Sequence, residues 1–131
     1  MLRTILALAI AAHGIGHVVF LIPLLGFASD SNWGQSTQSW LFTHETLAAV
    51  IGTVIWVVAT IAFCTAAYGL ASQLPWWRSV TVIASIVSLA GLALFWLNPV
   101  SSSAYFALGF DVVALASLLI ANWPSADLVG V

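Results

Sequence analysis

Four long apolar stretches alternate along this chain with short segments rich in polar residues or punctuated by proline. They cover about residues 5–27, 44–70, 80–97 and 104–122. A helix crosses a hydrocarbon core with roughly 20 residues, and each stretch is close to that length or longer. The intervening segments, residues 29–39, 73–78 and 98–103, collect Ser, Asn, Gln and the prolines Pro75 and Pro99, the composition of loop boundaries. Backbone in lipid has to satisfy its hydrogen bonds internally. The pattern therefore predicts an all-α integral membrane protein, a four-helix transmembrane bundle with short loops that forms one domain over residues 1–131. A secretory signal carries an apolar core of about 7–15 residues. The first stretch is about 23 residues long and reads as a retained helix.

Composition sharpens this picture. Of 131 residues, 63% are hydrophobic and 5% charged, the charged groups being Arg3, Asp30, Glu45, Arg78, Asp111 and Asp127. Soluble domains carry about a quarter of their residues as charged side chains, so this surface is built for lipid. With no lysine and a formal net charge of −2, the chain lacks the basic footprint that binds nucleic acid. Cys64 is the single cysteine, which excludes an internal disulfide or a thiolate metal cluster. Arg3 and Arg78 precede the first and third stretches and fall on one side of the bundle. Positive flanks stay inside, so both termini are expected to be cytoplasmic. Trp33, Trp40 and Trp96 then mark the outer interface, Trp76, Trp77 and Trp123 the inner one, and Trp56 lies deep in the second helix. Residues 28–43 have room for a short interfacial helix, with Ser39 or Thr43 capping the start of the second long helix.

Ionisable groups inside such helices are expensive and mark a site, a proton path or a buried pair. His13 and His17, four apart, share one face of the first helix. At 1.5 Å per residue from position 5 they lie about 12 and 18 Å in, and Asp111 lies about 10 Å below the outer end of the fourth helix, so His17 and Asp111 fall at similar depth. Asp111 shares its stripe with Ala104, Ala107, Ala114 and Ala121, small residues that let membrane helices pack closely, and so faces protein. Glu45 shares a stripe with Ala48, Gly52, Trp56 and Ala59. On the first helix the histidines flank Ala9, Ala12 and Gly16, and the third helix offers Thr81, Ala84, Ser85, Ser88 and Gly91. The expectation is that His13, His17, Glu45 and Asp111 converge in the outer half of the bundle, floored by Trp56 and Ser88. Pro23 is expected to kink the last turns of the first helix.

Three functions follow from such a pocket. The first is binding of a metal ion, redox cofactor or polar ligand. Two imidazoles and two carboxylates (His13, His17, Glu45, Asp111) suit iron, manganese or zinc, with Trp56 beside His13 and His17 against a cofactor. Haem fits less well, because two histidines one turn apart on one helix cannot supply opposite axial ligands, so haem would need His44 or a single ligand. The second is catalysis by His17, Asp111 and Glu45, moving protons on a lipophilic substrate such as a quinone, sterol or isoprenoid. The third is a structural assembly subunit whose polar groups hold helices together. A His17–Asp111 pair would serve that role, Glu45 would be favoured by the helix dipole, and Trp56 and Cys64 would fill the core.

The segments Leu2-Arg3-Thr4-Ile5, Ala12-His13-Gly14-Ile15-Gly16-His17 and Gly26-Phe27 resemble the opening of DoxX-like small membrane proteins, which have a similar size and four membrane helices. The resemblance implies a place in the cytoplasmic membrane of a bacterium or archaeon and association with membrane redox or sulfur-oxidation systems as a partner subunit. It singles out His13-Gly14. Expected partners are membrane lipid, a second copy or larger membrane complex, and a lipophilic small molecule. The small-residue faces supply the packing surfaces for assembly.

Overall fold

The computed structural model describes residues 1–27, 38–96 and 102–130. Within them the protein is all-helical: α1 (Leu2–Gly16), α2 (Val18–Leu24), α3 (Glu45–Ala71), α4 (Trp77–Leu94), α5 (Ser102–Leu115), which runs on as a π-helical turn (Ala116–Ile120), and a short α6 (Ala126–Val129). Taken as continuous spans, Leu2–Leu24, Glu45–Ala71, Trp77–Leu94 and Ser102–Ile120 are long and apolar enough to cross a membrane. Asp30, Trp33 and most of the expected interfacial helix lie outside the described residues.

The interior follows the predicted stripes of the second, third and fourth long helices, except that Ala121 is exposed, and on the first helix Ala9, Ala12 and Gly16 are exposed rather than inward. Ala48, Gly52, Trp56, Ala59 and Phe63 of α3, Thr81, Ala84, Ser85, Ser88 and Gly91 of α4, and Ala104, Ala107 and Asp111 of α5 are buried. α3 and α4 form the central pair. α1 packs on α3, and α5 on α4, but α1 and α5 have no extensive backbone contact with each other. The bundle thus keeps a seam between its first and last long helices. Close approach of α1 to α3 depends on Gly14, where a Cβ would come 2.7 Å from Cβ of Phe63.

The first span is interrupted, and the break falls at His17 rather than near Pro23, which sits inside α2. The His17 amide bonds back three residues to the Gly14 carbonyl (3.2 Å), and the Phe20 amide bonds to the His17 carbonyl (3.0 Å). Both are the short i→i+3 links of a 3₁₀ turn.

Ser39 and Thr43 do not cap α3. His44 holds the capping position without a side-chain bond. Ser39 instead donates to the Leu94 carbonyl (2.8 Å) and accepts from the amides of Leu41 and Phe42, which ties this loop to the end of α4. At the opposite end Arg78 donates to the carbonyls of Pro124 (2.8 Å) and Leu118 (3.1 Å). It thereby satisfies groups that the end of the last span leaves open. Gln73 donates to the Gly130 carbonyl (2.6 Å), and Val129 of α6 joins the core against α1.

Gly14→Ala is expected to destabilise the folded protein by about 1–3 kcal/mol, the usual cost of overpacking. Gly16→Ala, whose added Cβ meets nothing within 4 Å, should be near neutral. Thermal unfolding of the two variants in the same detergent checks the contrast.

Candidate His–Asp centre across the open seam

The break at His17 redirects a backbone acceptor. In an unbroken helix the carbonyl of His13 would take the amide of His17. Here that amide has gone to Gly14, and the His13 carbonyl lies 3.0 Å from Nδ1 of the His17 ring. A carbonyl can only accept, so Nδ1 carries the proton and Nε2 presents its lone pair. The Ser88 hydroxyl of α4 donates to that Nε2 at 2.8 Å. His17 is thereby fixed in one tautomer and one orientation while fully buried.

His13, one turn earlier, reaches across the seam and donates from Nε2 to Oδ1 of Asp111 at 3.0 Å. The Asp111 side chain is 0% exposed and the His13 side chain 10%. The second carboxylate oxygen, Oδ2, is buried without a hydrogen-bond partner among the described residues. Nitrogen and oxygen ligand atoms of His13, His17 and Asp111 all lie within 4.8 Å of one another.

Aromatic rings hold this cluster on several sides. His13 lies flat on Phe110 (centroids 3.9 Å, planes 16° apart) and meets Phe63 edge-on at 4.6 Å. His17 stacks on Phe63 at 5.5 Å and on Trp56 at 5.7 Å, and Phe20 packs against Trp56 at 4.6 Å. Phe20 also meets His17 edge-on at 5.8 Å, so the imidazoles are set by packing on four rings as well as by their hydrogen bonds.

Of the residues expected to converge, the structure brings together His13, His17 and Asp111, with Ser88 and Trp56 beside them. The pairing differs from the expected one: Asp111 meets His13, while the turn at His17 points that ring to α4. Glu45 is not part of the cluster. It is exposed in the first turn of α3 and lines a separate cavity of about 520 Å³ with Pro23, Leu24, Gln38 and Thr43 among others. Trp56 marks the level of His17 on α3, and Glu45, eleven residues earlier, stands about 16 Å away along the helix. His44 is exposed at the same end, away from the level a haem ligand would need. Phe63 and Phe110 also belong to the cluster, although the polar pattern of the sequence does not point to them. Phe63 follows Trp56 by seven residues on the same face, and that spacing was the available signal.

No protein-family model matches the chain, and searches of curated proteins and of solved structures return no match. Fold and site together define the class: a helical protein with four helices suited to crossing a membrane and a buried His–Asp–His cluster between the first and last of them.

A double-mutant cycle of His17→Ala and Ser88→Ala should return a coupling of about 0.6 kcal/mol, with about 1.7 kcal/mol as the upper end for interhelical hydrogen bonds in membranes. Additive effects would mean that the hydroxyl–imidazole bond contributes nothing.

Proposed function

We propose that this protein spans a bacterial or archaeal cytoplasmic membrane four times, with both termini on the cytoplasmic side, and that His13, His17 and Asp111 bind a divalent transition-metal ion. The topology is supported by the placement of Arg3 and Arg78 at one end, since positive flanks are retained inside. The metal reading is carried by one observation: a fully buried carboxylate with an unpartnered oxygen beside two imidazoles. A buried carboxylate oxygen without a partner is costly, and a cation would offset that cost.

The donor set agrees. Metal-ligating histidines typically donate their other ring N–H to a carbonyl or carboxylate, which fixes the tautomer, and the His17 Nδ1–H on the His13 carbonyl is that arrangement. Two imidazoles and one carboxylate suit iron(II), manganese(II) or zinc(II) and leave a coordination position open. Bonds of about 2.0–2.2 Å place the ligand atoms of a tetrahedral site about 3.4 Å apart. Drawing together atoms that lie within 4.8 Å would take modest side-chain rotation, and Ser88 would give up the Nε2 lone pair of His17. His13 would ligate through a deprotonated ring nitrogen, by Nδ1 or by Nε2 after its proton has moved to Nδ1 and its bond to Asp111 is released. A metal held here would supply Lewis-acid or redox chemistry. The chain's own part is to orient both imidazoles, exclude water and keep the carboxylate desolvated. The DoxX-like opening supports a role beside membrane redox systems.

Metal analysis of protein purified in detergent and offered iron(II), manganese(II) and zinc(II) tests this. About one ion per chain is expected. His13→Ala, His17→Ala and Asp111→Asn should each lose it, while Glu45→Gln, His44→Ala and Ser88→Ala keep it. Wild-type protein that holds no more metal than Asp111→Asn overturns the proposal.

A further inference from the structure

The seam between α1 and α5 opens sideways. A cavity of about 290 Å³ is lined by Ala12, His13, Gly16, His17, Val19 and Phe20 from the first span and by Ser103, Phe106 and Ala107 from α5. Ala12 and Gly16 are exposed at its edge, Phe106 is 81% exposed, and nothing occupies the space where a Gly16 Cβ would stand. His13 and His17 are its inner polar groups. Asp111 sits behind them, fully buried. On the membrane-spanning reading, on which this inference rests, the mouth is bordered by apolar faces of two spans. Gly16 lies about 21 Å along the helix from Leu2, while Ser103 stands in the first turn of α5, so the mouth runs from the outer end of the last span down to acyl-chain depth.

The chemistry of the walls narrows what can enter. The chain's two arginines, Arg3 and Arg78, are at the other end of the bundle, so no fixed cation is available for a phosphate or carboxylate. The one nearby anion, Asp111, lies fully buried behind the two imidazoles, with Oδ1 bonded to His13 and Oδ2 also buried, so no carboxylate stands at the opening for an ammonium head. The volume falls just below the roughly 300–1,000 Å³ of pockets that enclose whole drug-sized ligands, enough for a head group and its first carbons but not for a long chain. We infer that the His13–His17 centre is reached from within the bilayer by an uncharged amphiphile, whose hydroxyl or carbonyl head enters between α1 and α5 to the imidazoles while its tail stays in the lipid.

The test uses the full chain in nanodiscs with a hexadecanol carrying a photoreactive diazirine beside its hydroxyl end, and cross-linked peptides mapped by mass spectrometry. Labelling is expected on the peptides holding Ala12–Phe20 and Ser103–Ala107. Unlabelled hexadecanol should compete, and hexadecane or palmitate should not. Gly16→Leu and, separately, Ala12→Phe fill the mouth and should each lower labelling about tenfold, as expected for about 1.4 kcal/mol of lost binding, with the metal content of each sample unchanged. Labelling spread over all four spans, equal competition by the alkane or the fatty acid, or wild-type labelling of both blocked variants overturns the inference. Specific labelling of protein that holds no metal would refute the metal assignment and leave the lateral entry standing.

Discussion

The 3.0 Å hydrogen bond between His13 and Asp111 spans the gap that helix packing leaves open. α3 and α4 bury their small-residue faces against each other, and each carries one outer helix. Nothing in that arrangement forces α1 and α5 together. Along the seam lie a largely apolar cavity of about 120 Å³ bounded by Leu6, Ala9, Ile10 and Phe110 and the lateral opening beside His17, and His13 with Phe110 and Asp111 forms the bridge at the seam. In an apolar surrounding such a bond competes with few alternative partners, and its loss would leave a buried carboxylate alone. The polar group that makes the seam costly is also what closes it.

Local backbone chemistry prepares the second imidazole. The 3₁₀ turn at His17 shifts the His17 amide by one residue and so frees the His13 carbonyl, and that carbonyl determines which ring nitrogen is protonated. The broken helix is therefore part of the site. An interrupted helix is tolerated where its freed groups are satisfied within the protein, and here the His17 side chain satisfies the group that its own backbone released. Gly14 and Gly16 frame the turn with opposite roles: one lets α1 touch Phe63, and the other leaves space at the mouth of the cavity.

The four apolar stretches and the inward stripes of α3, α4 and α5 were legible in the sequence, because hydrophobic length and helical period are local properties of the chain. For the same reason Asp111 could be assigned to the interior: Ala104 and Ala107 on its face require close packing. Depth counting brought His13, His17 and Asp111 to one region to within about a helical turn. It chose His17 as the partner of Asp111, and the structure gives His13 instead, since the choice depends on where α1 breaks, and the break is a matter of which carbonyl each amide finds.

Glu45 shows the limit most clearly. Its stripe was read correctly from Ala48 onward, yet the helix carries it about 16 Å beyond the level of His17, and an exposed first turn has nothing to bury it. The pairing of Ser39 with Leu94, of Arg78 with the last span, and of Ser88 with His17 joins residues 40 to 71 positions apart, and no local pattern encodes such partners. Sequence alone determined which faces point inward, because each face is written in the period of one helix. Only the tertiary structure decided which side chains meet, because that depends on the relative height and rotation of helices set by packing over their whole length.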